Sequence, residues 1–386
     1  MKSHRPTATG RRASGPLQQL RSLGQVVWLE YLRRDLLLQG ALRTVIDRDG
    51  VRGVCSTPTT FAQAIAWTGQ YDVALAEAVR RGEHDGKELY ERLALADIEV
   101  AADQLRDVYE RSDRRDGYVT LAVPPPLHDD AAAIVAEARR LWARVGRPNL
   151  MLTLYATPAG LVALPELVAA GINTNLAGVC GPRQHEAAME AYFTGLERRD
   201  GDLAGLAGVA GLAVAPLDRV IDDALALRDA PAARGQAGIA VARRAYREWK
   251  RQHAGPRWTR LAARGARPQR LLFGTFTGAS GREETRYAEQ LIGADTIVAL
   301  PVSILDDLRA RERVEPTLDA DPSADEAHLA ALGRHGIDLE AAAVLALDGE
   351  LSRLGADYAT LIAAVERRRT EVVDGLPPLN PSRRDG

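Results

Sequence analysis

Eight short apolar or β-branched runs alternate with segments of helical spacing along this chain, and that alternation confines it to βαβ units and a parallel sheet. The runs are 26–30, 53–57, 118–123, 149–154, 173–179, 209–214, 271–275 and 295–300. Between them lie amphipathic helices. Residues 131–145 place Ile134, Ala138, Leu141 and Val145 on one face, and 217–227 and 238–253 follow the same rule. Eight strands of this kind predict an α/β fold, a closed (β/α)8 TIM barrel. Two stretches exceed the simple barrel. Residues 58–115 read as a helical insertion after strand 2, and 303–370 as further helices after strand 8. Residues 23–375 are expected to form one domain, flanked by a disordered basic tail over 1–22 and a frayed Pro- and Arg-rich end over 376–386.

Composition excludes several classes of function. Hydrophobic residues make up 46% of the chain and the formal net charge is −2. A nucleic-acid footprint or a membrane-binding face would need a concentrated basic surface, so neither partner is expected. The longest apolar runs are too short to span a bilayer, and Arg11-Arg12 is followed by no apolar segment of signal-peptide type. Cys55 and Cys180 have no metal-type spacing and read as reduced thiols of a cytoplasmic protein. They fall on strands 2 and 5, which lie apart in an eight-stranded barrel, so no disulfide is expected. Of 50 basic residues only Lys2, Lys87 and Lys250 are lysines, which leaves few amines for chemistry. No phosphate loop, metal set or cofactor motif is present, and oligomeric state is left open.

Ordered motifs carry more information. Val27-Trp28-Leu29-Glu30 has the form W-L-D, and Gly50-Val51-Arg52-Gly53-Val54-Cys55-Ser56-Thr57-Pro58-Thr59 the form G-V-x-G-V-T-S-N-P-T. Arg147-Pro148-Asn149 leads through the fourth strand to Ala156-Thr157-Pro158-Ala159-Gly160. Ala170-Gly171-Ile172-Asn173-Thr174-Asn175, Ala266-Arg267-Pro268 and Leu291-Ile292-Gly293-Ala294-Asp295 follow in order. Taken together, over about residues 26–370, these segments resemble the transaldolase family, in its longer bacterial branch.

The resemblance implies a sugar-phosphate enzyme in which a lysine imine acts as electron sink for retro-aldol cleavage. A carboxylate pair then moves protons, and basic side chains hold the phosphate. In the family the fourth strand reads M-I-K-I-P-A-T; here it reads Met151-Leu152-Thr153-Leu154-Tyr155-Ala156-Thr157. The lysine position is Thr153, and a hydroxyl cannot form an imine. Other positions differ as well. Glu30 replaces the strand 1 aspartate, Thr57 an asparagine, Ala122 a glutamate, Ala177 a threonine and Gly211 a serine. Pro216 and Ala279 stand at basic positions, with Arg219 close enough that a shifted alignment restores one of them. None of the three lysines belongs to a barrel strand.

Several candidate site residues remain. Glu30 is the candidate acid or base, or else a structural acid bonded to backbone amides. Tyr155, inward-facing with Thr153 by strand alternation, is either a proton-donating or stacking phenol or a plug. Thr57, Thr153 and Asn175 are candidate neutral donors and acceptors, and Cys55 and Cys180 either ligand contacts or small buried hydrophobes. Arg183, Gln184 and His185 open a helix after strand 5; His128, Asp129 and Asp130 read as a cap and not a metal set. The expectation is therefore an enzyme repurposed for acid–base chemistry, of cyclase, lyase or condensing type. It would act on a non-phosphorylated small molecule of specialised metabolism. The alternative is a catalytically inactive binding or scaffold homologue, and an ordinary transaldolase ranks last.

Overall fold

Eight parallel strands close into a barrel in sequential order: β1 Gln25–Leu29, β2 Gly53–Cys55, β3 Tyr118–Ala122, β4 Leu150–Tyr155, β5 Thr174–Val179, β6 Gly208–Ala213, β7 Arg270–Gly274 and β8 Thr296–Leu300. The computed structural model describes residues 15–228, 230, 234–274, 281–311 and 313–374. The ring closes through β1 and β8, paired from Gln25↔Thr296 to Leu29↔Leu300. Each expected strand is present, with ends shifted by no more than two residues. Helices Ala131–Val145, Val214–Ala226 and Ala237–His253 occupy the predicted segments.

The asparagines that carry the motif frame hold the strand entries. Asn149 Nδ2 donates to the carbonyls of Ala102 (2.8 Å) and Gly117 (2.9 Å). Asn173 Nδ2 donates to Pro148 and Leu150, while its Oδ1 accepts from the Ala207 amide, each at 2.9 Å. Each amide thus satisfies backbone groups of neighbouring strands that the parallel ladder leaves over.

The insertion is helical, and the described residues contain no strand within it. Its helix Gly86–Gln104 is capped by Asp85, which accepts from the Glu88 amide. Buried Asp97 accepts from Tyr71 Oη at 2.7 Å and pairs with Arg34 at 2.8 Å, so its charge is compensated where water does not reach.

One feature differs from expectation. Residues 16–22, expected in the tail, form helix Pro16–Ser22, because Leu17 and Leu20 bury against the barrel and Pro16 starts the turn. The segment after β8 is helical as expected, and its last described element is a 36-residue helix, Leu339–Asp374, which crosses the C-terminal face of the barrel. Its Glu340 lies beside Arg183, its Leu347 beside Gly178 at the end of β5, and its Asp357 accepts from Thr59 Oγ1 at 2.7 Å. Residues 1–14 and 375–386, including Lys2 and the expected frayed end, lie outside the described residues.

Gly117 is required by both conformation and space. Its φ is +87°, and a Cβ there would lie 2.4 Å from the Tyr109 amide nitrogen. Gly117→Ala should lower folding stability by about 2–4 kcal/mol, combining left-handed strain with overpacking. Urea unfolding measures this, and a loss below about 1 kcal/mol would show that the loop moves aside.

Candidate active site

Strand alternation sends one set of side chains into the barrel, and these form layers. The lower layer is apolar: Trp28, Tyr118, Met151, Val209, Leu272 and Ile297 belong to one buried cluster. Above it the interior turns polar. Thr153 and Asn175 are register partners on β4 and β5, and Asn175 Nδ2 donates to Thr153 Oγ1 at 3.1 Å. Both are buried, and Asn175 Oδ1 has no partner among the described residues. Gly211 faces it; a Cβ there would lie 3.5 Å from that oxygen. Ala122 is the register partner of Thr153 on the other side.

Glu30 follows β1, and its amide donates to the Leu300 carbonyl at 2.8 Å. Its Oε1 would come within 3.0 Å of a Cβ at Gly274, so the glycine makes room for the carboxylate. Cys55 lies near enough that the Glu30 charge adds to burial in raising the thiol far above its usual range. Cys55 is therefore a neutral thiol at physiological pH.

The remaining sequence candidates lie elsewhere at this end. Thr57 caps helix Pro58–Trp67, accepting from the Thr60 amide at 3.3 Å. Tyr155 and Cys180 join Ala213, Leu217, Leu347 and Leu351 in an apolar cluster beneath the crossing helix. Burial raises the Tyr155 phenol well beyond its ordinary value and pushes the Cys180 thiol up to about 12. Arg219 is engaged by Glu350 of the crossing helix at 2.9 Å, and Arg353 bonds the same buried carboxylate at 2.8 Å. Ala279, at the second basic position, lies outside the described residues.

Gln184 caps its own helix by accepting from the amides of Cys180 (2.8 Å) and Gly181 (3.1 Å). Asp130 caps helix Ala131–Val145 through the Ala133 amide. Among the described residues no group of three or more His, Cys, Asp or Glu side chains could hold a metal, and no helix is long and apolar enough to cross a membrane. Sequence reasoning missed a shallow recess beside the β2 and β3 ends, about 530 Å³ counting the space open to solvent. Ser56, Thr57, Ala122, Tyr90, Tyr358 and Lys87 line it. Lys87 had looked remote because its helix is an insertion, and only tertiary folding brings it to the rim. Lys250 pairs with Asp319 on the outer surface.

The closed barrel defines the class of the protein, and comparison with known proteins defines its family. Residues 27–365 match the model of the transaldolase/fructose-6-phosphate aldolase family. The chain is 39% identical to a protein named transaldolase from Thiobacillus denitrificans, over 89% of this chain and 97% of that one. It is 36% identical to the transaldolase of Frankia alni over 85% and 90% of the two chains. With transaldolase 1 of Streptomyces coelicolor the identity is 35%, over 92% and 95%. This chain belongs to the transaldolase/fructose-6-phosphate aldolase family. These relatives overturn the expectation of a repurposed acid–base or scaffold protein of specialised metabolism with transaldolase ranked last. That expectation weighed the strand-end substitutions above a match that runs through the barrel, the insertion and the crossing helix together.

His185 supplies a pH test of this end of the fold. It is buried, and burial lowers its pKa from 6.5 to about 4. The unfolded chain takes up a proton that the folded imidazole refuses. Stability from this group is therefore complete above pH 6.5 and is lost as pH falls toward 4, by about 3 kcal/mol in all. His185→Met should flatten that limb of the stability–pH curve measured by urea unfolding. An unchanged limb would place the acid sensitivity in another group.

Proposed function

We propose that this chain performs the reaction for which its relatives are named, transferring a ketose fragment from a sugar phosphate to an aldose phosphate. The observation that carries the reading is the 39% identity across 97% of the Thiobacillus transaldolase. The substrate is a small molecule, taken at the C-terminal ends of the strands as in other barrels of this type. Glu30 is the proton carrier, and Thr153 and Asn175 contact the sugar. A substrate hydroxyl donating to Asn175 Oδ1 would satisfy a buried acceptor that lacks a protein partner. Thr153 offers no amine, so at this position the chain departs from the conventional route. A cytoplasmic location, with Cys55 and Cys180 reduced, accords with this reading.

The test is direct. Fructose 6-phosphate and a four-carbon aldose phosphate are incubated with the protein, and the seven-carbon ketose phosphate is followed by mass spectrometry. Product formation above a heat-inactivated control is expected; its absence at any practical protein concentration sinks the proposal. Glu30→Gln keeps the shape and removes the base, and should slow transfer by about 100- to 10,000-fold with the melting temperature retained. Thr153→Lys places an amine beside Asn175, and borohydride in the presence of fructose 6-phosphate should then fix an adduct at that position. An unmodified position 153 would show that the sugar carbonyl does not reach β4.

A further inference from the structure

The opposite, N-terminal end of the barrel carries a recess unlike a packed floor. It spans about 460 Å³, counting the space open to solvent. Its base is apolar and aromatic, formed by Trp28, Tyr118, Met151 and Ile297, and Arg114, Arg115, Arg267 and Arg270 line its walls. Trp28 lies flat against Gly53, where a Cβ would come within 2.6 Å of the indole.

Three observations indicate that this recess is built for a ligand. First, two deeply buried residues that line it, 1% and 6% exposed, carry donors with no partner among the described residues: Trp28 Nε1 and Arg270 Nε. A buried N–H left unpaired costs about 1–3 kcal/mol, and both await an acceptor. Second, guanidinium groups exceed carboxylates. Arg115, Arg267 and Arg270 pair with Asp295, Asp113 and Asp116. The Arg114 guanidinium, which also lines the recess, has no hydrogen bond or ion pair among the described residues. Four guanidinium groups against three carboxylates leave an excess positive charge that suits an anion. Third, backbone strain gathers here. Among the described residues the non-glycine positions with left-handed φ are Asp113 (52°), Arg114 (62°) and Asp295 (62°). Arg114 lines the recess, and the other two hold arginines that do. Such conformations persist where surrounding structure enforces them, and they cluster at ligand clamps.

We propose that the N-terminal recess is a second binding site, separate from the mouth, for a phosphate monoester with a flat or apolar body. The body packs on Trp28 and Tyr118, and the phosphate oxygens accept from Arg114, Arg270 and the indole N–H. Arginine forks suit phosphate geometry, and their strength grows where water is partly excluded.

Phenyl phosphate is the probe, with binding to the full chain followed by titration calorimetry. Saturable one-to-one binding is expected below about 10 mM, within the range a weak but specific site gives. Arg114→Gln removes an exposed guanidinium that holds no partner, and should weaken binding about tenfold or more without moving the melting temperature. Ala207→Phe fills the base while leaving every charge in place, and should abolish binding. Benzoate, with the same ring and one charge fewer, should bind about tenfold more weakly. No saturable binding, equal binding by both variants and the wild type, or equal affinity for benzoate would overturn the proposal. None of these outcomes depends on Glu30 or Thr153, so failure here and failure of the transfer reaction are distinguishable.

Discussion

Everything at either end of this molecule depends on the pairing of β1 with β8. An open parallel sheet would leave two rows of backbone donors and acceptors without partners, and its strand ends would fan apart. Closure through five residue pairs removes both edges and turns eight separate side-chain rows toward one axis. Pairing of β4 with β5 brings Thr153 and Asn175 to hydrogen-bond distance, and closure encloses that pair inside the barrel. Closure also creates two open ends, and the chain treats them differently.

The C-terminal end is covered by the crossing helix. Its apolar side chains Ala343, Ala346, Leu347 and Leu351 pack with Tyr155 and Ala213. Such contacts would tolerate sliding by a turn, since leucine and alanine recur along the helix. Glu350 removes that freedom. Its partner Arg353 lies on the same helix and moves with it, but the ion pair to Arg219 of helix Val214–Ala226 forms at one register, and a shift would break it. The bond from Thr59 to Asp357 fixes the same register from the β2 side. The polar groups thus place the helix, and the apolar groups supply most of the attraction.

Much of this was legible in the sequence for a physical reason. Strands buried on both faces are continuous apolar runs, and helices outside them must show a 3.6-residue period, so both could be read locally. Helix Pro16–Ser22 was missed because seven residues with two leucines give too little periodicity to stand out from a tail. The pairing of Glu350 with Arg219 spans 131 residues and leaves no local trace. The arginine-lined recess was hidden in another way. With 50 basic residues and only three lysines in the chain, arginines at 114, 115, 267 and 270 do not rise above the background until the barrel gathers them.

The substitution at Thr153 and the family match bear on different properties. Identity spread over 351 residues reports the frame, because residues such as Asn149 and Asn173 act on the backbone and fix where the strand ends fall. The asparagine bonds lie at the strand entries, whereas Thr153 lies farther along β4 and bonds Asn175, so the frame and this position are spatially distinct. The local packing supports this separation. Met151 below and Tyr155 above Thr153 lie in apolar clusters, yet the layer between them keeps a hydroxyl bonded to an amide. A layer of this kind, with an unpartnered acceptor at Asn175, would gain stability from apolar replacements if it only filled space. Thr153 and Asn175 are 8% and 6% exposed against 0% for Met151 beneath them, so the polar layer begins where the barrel interior becomes less deeply buried.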